Sequence, residues 1–334
     1  MEEEKKLYPL KFIKIDENPA EDVHIADLGY QDSLVSEGWL AANSISEVMD
    51  TYMDRVVGEA AFAWYGRQFP VLVKVIKGTE QGALMVHPDD ELSAERFDFL
   101  GKAKFWYVLE AKPGSKLTIG LKRDVSAEEF YMACRHGNVE ELLNTVEAKA
   151  GDHYFIHPGL IHRAGAGVVL AEIAESSPLD FEILGESELN LEAAFDFIDF
   201  GKYHPHRVEA KAEGDGAVRR LTDCKEFCVN EISLKDPIHV NAAKPGSFTI
   251  YTCLNGELSL QTTDDEGNHS YSVKAQQSIL VPAETEEFNL VPAAVRTVLL
   301  ETTVDRHEEL DKYTNEIRQV HMGDPMLQDP FGGD

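Results

Sequence analysis

Gly151-Asp-His-Tyr-Phe-Ile-His-Pro-Gly159 is a short aromatic and β-branched run closed by Pro-Gly, and Gln276-Gln-Ser-Ile-Leu-Val-Pro-Ala283 loosely echoes it. A short apolar run bounded by turn residues reads as a strand. Its recurrence suggests two related β units in tandem. The neighbouring sequence carries the same pattern. Phe69-Pro-Val-Leu-Val-Lys-Val-Ile76 stops at Lys77-Gly-Thr79, and Phe105-Trp-Tyr-Val-Leu109, Lys116-Leu-Thr-Ile-Gly120 and Val168-Val-Leu-Ala-Glu-Ile173 follow. Lys112-Pro-Gly-Ser115 and Ala164-Gly-Ala-Gly167 punctuate them. Further on, Ser247-Phe-Thr-Ile-Tyr-Thr-Cys-Leu254, Gly256-Glu-Leu-Ser-Leu260 and Tyr271-Ser-Val273 surround the polar turn Asp264-Asp-Glu-Gly-Asn268, a pattern that fits a meander or jelly roll. The expected fold is mainly β.

Helices are expected in fewer places. Ile45 to Trp64 has helical spacing, and Ser126-Ala-Glu-Glu129 fits a capping box ahead of Phe130, Ala133 and Cys134, with Gly137 as the stop. Val139 to Val146 reads as a second short helix, and His307 to Val320 as a polar one within a tail whose end is expected to fray. The organisation that follows is an N-terminal β domain over 1–185 carrying the site, a connection over 186–226, a second β domain over 227–304, and a tail over 305–334.

The 334 residues are enough for two domains with a substantial core. A net charge of −29 argues against nucleic acid and anionic membrane as partners, and 43% hydrophobic residues argue for a folded chain. The N-terminal residues have neither a signal peptide's apolar stretch nor a spanning helix, so a cytoplasmic protein is expected. Four cysteines, Cys134, Cys224, Cys228 and Cys253, match no zinc or disulfide spacing and are expected as reduced, buried thiols. Nothing in the composition indicates an oligomeric state.

Two histidines stand beside expected strands, His87 in Met85-Val-His-Pro-Asp-Asp90 and His162 in His157-Pro-Gly-Leu-Ile-His-Arg163. Imidazoles from opposite strands of one barrel mouth suit a transition metal, while a single loop histidine is ordinarily just a partly exposed polar residue. The wider set of motifs resembles type I mannose-6-phosphate isomerases, the short bacterial form most closely. Glu59, Arg67-Gln-Phe-Pro-Val-Leu-Val-Lys74, Val86-His-Pro-Asp-Asp-Glu91, Gly101-Lys102 with Trp106-Tyr107, Gly120-Leu-Lys122, Gly151-Asp152, Gly159 with His162, Ala171-Glu-Ile173 with Ser176-Ser177, and Asp264-Asp-Glu-Gly-Asn268 come in that family's order and spacing over about residues 39 to 303. The resemblance implies a double cupin, two jelly-roll barrels with a helical insertion in the first half, and a sugar or sugar-phosphate site in the first barrel. It implies a divalent metal, usually zinc, and aldose–ketose isomerisation of mannose 6-phosphate and fructose 6-phosphate.

The same resemblance shows which positions depart. His87 and His162 match the family's two histidine ligands, but its Gln ligand falls at Met85 and its Glu ligand at Lys104. Its Arg after the Ser-Ser pair falls at Glu182, and its Trp-Gly-Gly and Glu-Ser-Trp-Glu motifs are missing. Lys102 and Glu172 match active-site positions, which implies catalytic roles for them. At an effective dielectric of about 20, an ammonium ~4 Å from a doubly charged ion opposes it by roughly 8 kcal/mol. A Met thioether, a soft donor, does not repair this. Zinc or another divalent metal is therefore expected to be weakly bound or absent.

Lys104 would then either take the metal's place and donate to His87 or His162, or snorkel to solvent. His153 and His157 could rebuild a three-histidine site with His162, because alternation puts His153, Phe155 and His157 on one face of a strand; a surface or outer-layer role is the plainer reading. The expected function is a sugar or sugar-phosphate binding homologue with reduced, altered or no isomerase activity. The alternatives are a working isomerase with rearranged ligands such as His157, and a non-catalytic regulatory or partner-binding cupin.

Overall fold

The structure is a computed structural model that describes residues 5–184, 188–205, 212–213, 218–242, 246–264 and 267–304. Ten strands come first: β1 (Glu21–Ile25), β2 (Val71–Lys77), β3 (Met85–Val86), β4 (Lys104–Ala111), β5 (Lys116–Leu121), β6 (Leu143–Glu147), β7 (His153–Ile156), β8 (His162–Ala164), β9 (Val168–Glu175) and β10 (Phe181–Glu182). They form two five-stranded sheets, in the orders β1-β2-β9-β4-β7 and β10-β3-β8-β5-β6. Ten more follow: β11 (Ala212–Glu213), β12 (Val218–Asp223), β13 (Cys228–Leu234), β14 (Ile238–Asn241), β15 (Thr249–Asn255), β16 (Glu257–Asp264), β17 (Gly267–Lys274), β18 (Gln277–Val281), β19 (Glu287–Pro292) and β20 (Thr297–Thr303). These make a six-stranded sheet, β11-β12-β13-β20-β15-β18, and a four-stranded one, β14-β19-β16-β17. The mainly β, double-cupin expectation holds: each half is a pair of antiparallel sheets closed over its own apolar interior, the jelly-roll solution to exposed sheet edges.

The helices differ from the expected ones in two places. The stretch from Ile45 forms three short helices, α1 (Ile45–Tyr52), α2 (Asp54–Val57) and α3 (Glu59–Tyr65), broken at Met53 (φ 48°) and Gly58 (φ 89°). The second break has a steric cause. A Cβ on Gly58 would lie 1.7 Å from the Gly246 carbonyl oxygen, so the chain turns there to pass against the second unit. Val139 to Val146 is a single 3-10 turn, Val139–Glu141, followed by β6, because Leu143 to Glu147 find a ladder partner in β5. Pairing outweighs the local helical pattern.

Two later helices complete the first half, α4 (Asp90–Phe97) and α5 (Ala127–His136), and α6 (Glu188–Ala194) follows. Ser126 caps α5 by accepting from the Glu129 N–H, while the Glu129 carboxylate turns to Arg123, so only half of the expected capping box forms. The complete box is at Ser44 and Glu47. All four cysteines are free, but only Cys228 and Cys253 are buried. The polar helix at 307–320 and the tail lie outside the described residues.

The two units share a core. Phe69 and Phe248 meet at 4.9 Å between ring centroids, and one apolar cluster joins Trp64, Phe105 and Ile173 to Phe227, Ile250 and Leu300. Leu10 exchanges backbone hydrogen bonds with Leu280, so the N-terminal segment crosses to the second unit.

The units also repeat one register. Across the first sheet, Lys74, Glu172, Trp106 and Tyr154 are cross-strand neighbours on β2, β9, β4 and β7. Across the second, Asn230, Glu301, Tyr251 and Ile279 occupy β13, β20, β15 and β18 in the same order. In each row the central glutamate accepts from the aromatic neighbour, at 2.6 Å from Trp106 Nε1 and 2.9 Å from Tyr251 Oη. The strands bearing the glutamates read Val169-Leu-Ala-Glu172 and Val298-Leu-Leu-Glu301.

Candidate active site

The first barrel's interior brings together side chains from both of its sheets. Met85 on β3 stands directly opposite His162 on β8 and Glu182 on β10, and His87 follows β3 by one residue. The His-Pro-Asp-Asp turn is built by its own carboxylates. Asp89 caps α4 by accepting from the Leu92 N–H at 2.9 Å, and buried Asp90 accepts the Gly101 N–H at 3.0 Å. The Lys102 N–H reaches the Pro88 carbonyl at 3.1 Å. A Cβ on Gly101 would sit 2.4 Å from the Asp90 nitrogen, so only glycine allows this approach. The turn therefore fixes the segment that delivers Lys102 and Lys104.

His87 and His162 face each other, with Nε2 atoms 3.2 Å apart. Each Nδ1 points at a backbone carbonyl, His87 at Leu179 (2.9 Å) and His162 at Leu160 (2.8 Å). A carbonyl only accepts, so each Nδ1 carries the hydrogen. Burial and the Lys104 ammonium hold His87 well below the usual imidazole range and push His162 down to about 3. Both rings are thus neutral, with bare Nε2 lone pairs turned towards one another. Trp106 stands edge-on to His162 at 5.3 Å.

Around this pair lies a network of buried charge. Lys104 is only 5% exposed, and its Nζ is 3.6 Å from Glu172 Oε2. Lys74 Nζ lies 3.5 Å from Glu172 Oε1 and donates to Glu21 at 2.9 Å. Burial alone would raise the Glu172 carboxyl, but Lys104, Lys74 and the Trp106 N–H hold it far below the usual carboxylate range. Lys102, 2% exposed, donates to Asp180 at 2.9 Å, and burial lowers its ammonium to about 8 against the pull of that carboxylate. Asp180, its side chain 41% exposed, also lies 3.4 Å from His87 Nδ1.

The site residues read from sequence therefore separate into two groups. His87, His162, Met85, Lys102, Lys104, Glu172 and Glu182 converge on the first barrel. His153 and His157 do not join them. His153 packs against Phe105, while its strand neighbours Tyr154 and Ile156 take the barrel-side face; His157 Nε2 is 3.9 Å from Asp199. Alternation along β7 puts His153 on the wrong face for a three-histidine site. Lys104 does not snorkel, and its charged neighbour is Glu172 rather than an imidazole. Two participants were not singled out from sequence. Lys74 had a signal, a lone cation within Val71-Leu-Val-Lys-Val-Ile76, whereas Asp180 follows an ordinary Ser-Ser-Pro-Leu turn and had none.

These donors do not fit a divalent zinc centre. Among the described residues no three His, Cys, Asp or Glu side chains group to hold a metal; Glu172 is engaged by two ammonium groups and an indole, and Asp180 by the Lys102 ammonium. Structural zinc takes four N, S or O donors, and catalytic zinc three with a water.

No family model matches the chain. It is similar to the mannose-6-phosphate isomerase ManA of Bacillus subtilis, 23% identical over 269 residues, which are 77% of this chain and 82% of that protein. It is also similar to the probable mannose-6-phosphate isomerase GmuF of the same species, 26% identical over 237 residues, 67% of this chain and 73% of that one. Among solved structures, the mannose 6-phosphate isomerase from Bacillus subtilis superposes with a TM-score of 0.76 at 17% identity, covering 89% of this chain and 99% of that one. Sequence similarity along most of its length and the shared two-barrel fold together make the chain similar to mannose-6-phosphate isomerases.

Proposed function

We propose that this chain is a sugar-phosphate-binding member of the family that has exchanged its divalent-metal centre for a buried cluster of ammonium groups, and that it does not carry out metal-dependent aldose–ketose isomerisation. One observation carries the reading: Lys104 lies inside the barrel, paired with Glu172, where the resemblance puts a metal-binding glutamate. An ammonium there repels a divalent ion with the same strength that a carboxylate would attract it.

The residues present can still bind and orient. Lys102 and Lys104 offer charge-assisted donors to hydroxyl, carbonyl or phosphate oxygens, and the bare Nε2 atoms of His87 and His162 accept from hydroxyls. Moving a proton between adjacent sugar carbons needs a base at carbon and a strong electrophile at oxygen to hold the enediolate charge. Neutral His87 or His162 could serve as the base. Lys102 and Lys104 are already neutralised by Asp180 and Glu172, so the electrophile is what is lacking. Glu182 adds negative charge where the family places an arginine.

Calorimetry with mannose 6-phosphate, run beside a coupled isomerase assay with added zinc, tests this. Saturable binding at one site is expected, with turnover at least about 10³-fold below that of an authentic family enzyme, the scale set by losing one strong electrostatic contributor. Zinc-stimulated turnover at an ordinary rate, or no binding of any sugar phosphate, would overturn it.

A further inference from the structure

The segment that carries Lys102 into the first barrel is held at every step. The Leu100 carbonyl accepts from Ser177 Oγ at 2.8 Å, and three consecutive N–H groups follow it. Gly101 donates to Asp90 Oδ1 at 3.0 Å, Lys102 to the Pro88 carbonyl at 3.1 Å and Ala103 to Glu175 Oε2 at 3.0 Å. Two of these acceptors are carboxylates, and both are buried. A buried carboxylate keeps its charge, and with it its strength as an acceptor, only where a cation or further donors lie beside it. Here the cation comes from the other unit.

Lys225 and Glu226 form the tip of the hairpin that joins β12 to β13, closed by the Cys224 N–H donating to the Phe227 carbonyl at 3.1 Å. The tip is seated on the first unit, because Phe227 is buried in one apolar cluster with Leu100 and Ala103. Lys225 Nζ lies 3.7 Å from Asp90 Oδ2 and 3.5 Å from Glu226 Oε1. Burial opposes its charge, but Asp90, Glu226 and Glu175 raise the ammonium above the usual lysine range. Glu226 is buried as well, so one ammonium serves three buried carboxylates. Asp90 thus uses Oδ1 for the Gly101 N–H and turns Oδ2 to Lys225. We propose that Lys225 is a positioning residue for the first barrel's ligand site. It sustains the charge of Asp90 and Glu175, whose grip on Gly101 and Ala103 fixes Lys102 in the barrel interior, so the site depends on the docked hairpin of the second unit.

The proposal rests on the reading that the first barrel binds a sugar phosphate, and the two can fail separately. The full chain carrying Lys225→Met is compared with Lys225→Arg, which keeps the charge, and with Arg55→Met, which breaks a different ion pair between the units, to Glu284 at 3.0 Å. Amide hydrogen exchange is followed residue by residue without ligand. Exchange at Gly101, Lys102 and Ala103 should quicken at least about tenfold in Lys225→Met and stay native in the other two. In calorimetry with mannose 6-phosphate, the dissociation constant should rise at least about tenfold in Lys225→Met and recover in Lys225→Arg. If Lys225→Met does not fold, the chain carrying Lys225→Met and Glu226→Gln, with one buried carboxylate fewer to compensate, decides by the same measurements. Native exchange at the three amides in Lys225→Met, equal loosening in Arg55→Met, or no recovery in Lys225→Arg would overturn the positioning role. Absence of sugar-phosphate binding by the native chain would instead overturn the reading beneath it.

Discussion

Glu172 accepts from Trp106 and faces two ammonium groups while almost wholly buried, so its charge and theirs are mutually dependent. Removing the carboxylate leaves Lys74 with Glu21 as its ion-pair partner and Lys104 with only the field of Asp180 to offset its charge. Glu172→Gln is expected to destabilise the fold by about 3–5 kcal/mol, the usual effect of breaking a buried ion pair from one side. Lys104→Met leaves Glu172 still matched by Lys74 and Trp106, so it should cost under about 1 kcal/mol or stabilise. Urea unfolding of the two variants checks the contrast. At this scale the sequence was most informative where a family motif met a changed residue: Met85, Lys104 and Glu182 were visible as departures. It was least informative where the partner is brought by the fold. Asp180 has no local feature that marks it as the counter-ion of Lys102, and whether Lys104 is buried or exposed depends on the strand that covers it.

The turn from His87 to α4 and the segment at Gly101 behave as one device. Asp90 receives the Gly101 N–H across a gap too narrow for a Cβ, so Gly101→Ala must push the segment leading to Lys102 and Lys104 away from the Asp89–Asp90 backbone. A loss of about 3 kcal/mol is expected, against about 1 kcal/mol for Asp89→Ala, which removes only a helix cap. Thermal unfolding measures both. The strands that build the site were legible as short apolar runs bounded by Gly and Pro. The failures came where a long-range contact overruled a local pattern. Gly58 breaks a helical stretch because Gly246 lies against it, and Leu143 to Glu147 leave helix because β5 offers a ladder. Strand alternation put His153 and His157 together, but which face of β7 looks inward is a property of the closed barrel.

For the whole molecule, the junction between barrels is where acid should act. His24 on β1 shares a hydrogen bond with Ser278 on β18, and burial pushes its imidazole down to about 4. The unfolded chain takes up this proton near pH 6.5 and the folded one only near 4, so stability falls as pH drops through that window, by up to about 3 kcal/mol. Asp27, raised to about 6 by burial, acts in the opposite sense, losing stability as pH rises from about 4 to 6. The difference between the native chain and His24→Gln isolates the histidine: denaturant unfolding at pH 7 and 4.5 should show a smaller acid loss in the variant. The tandem arrangement was readable from one short echo, and the structure extends that echo to a shared glutamate register. The shared core was not readable, since apolar residues facing a second unit look like those facing their own.

The charge of −29 bears on the site as well as on solubility. A protein this acidic needs local positive charge to hold a phosphate, and Lys74, Lys102 and Lys104 are the cations the barrel interior provides. The account stands on their having displaced a divalent ion. Its most direct test is the zinc content of the purified full chain after equilibration with micromolar zinc and gel filtration, read beside the same chain carrying Met85→Gln and Lys104→Glu. The account predicts well under one equivalent in the native chain and about one in the double variant. One tightly held equivalent in the native chain would contradict it.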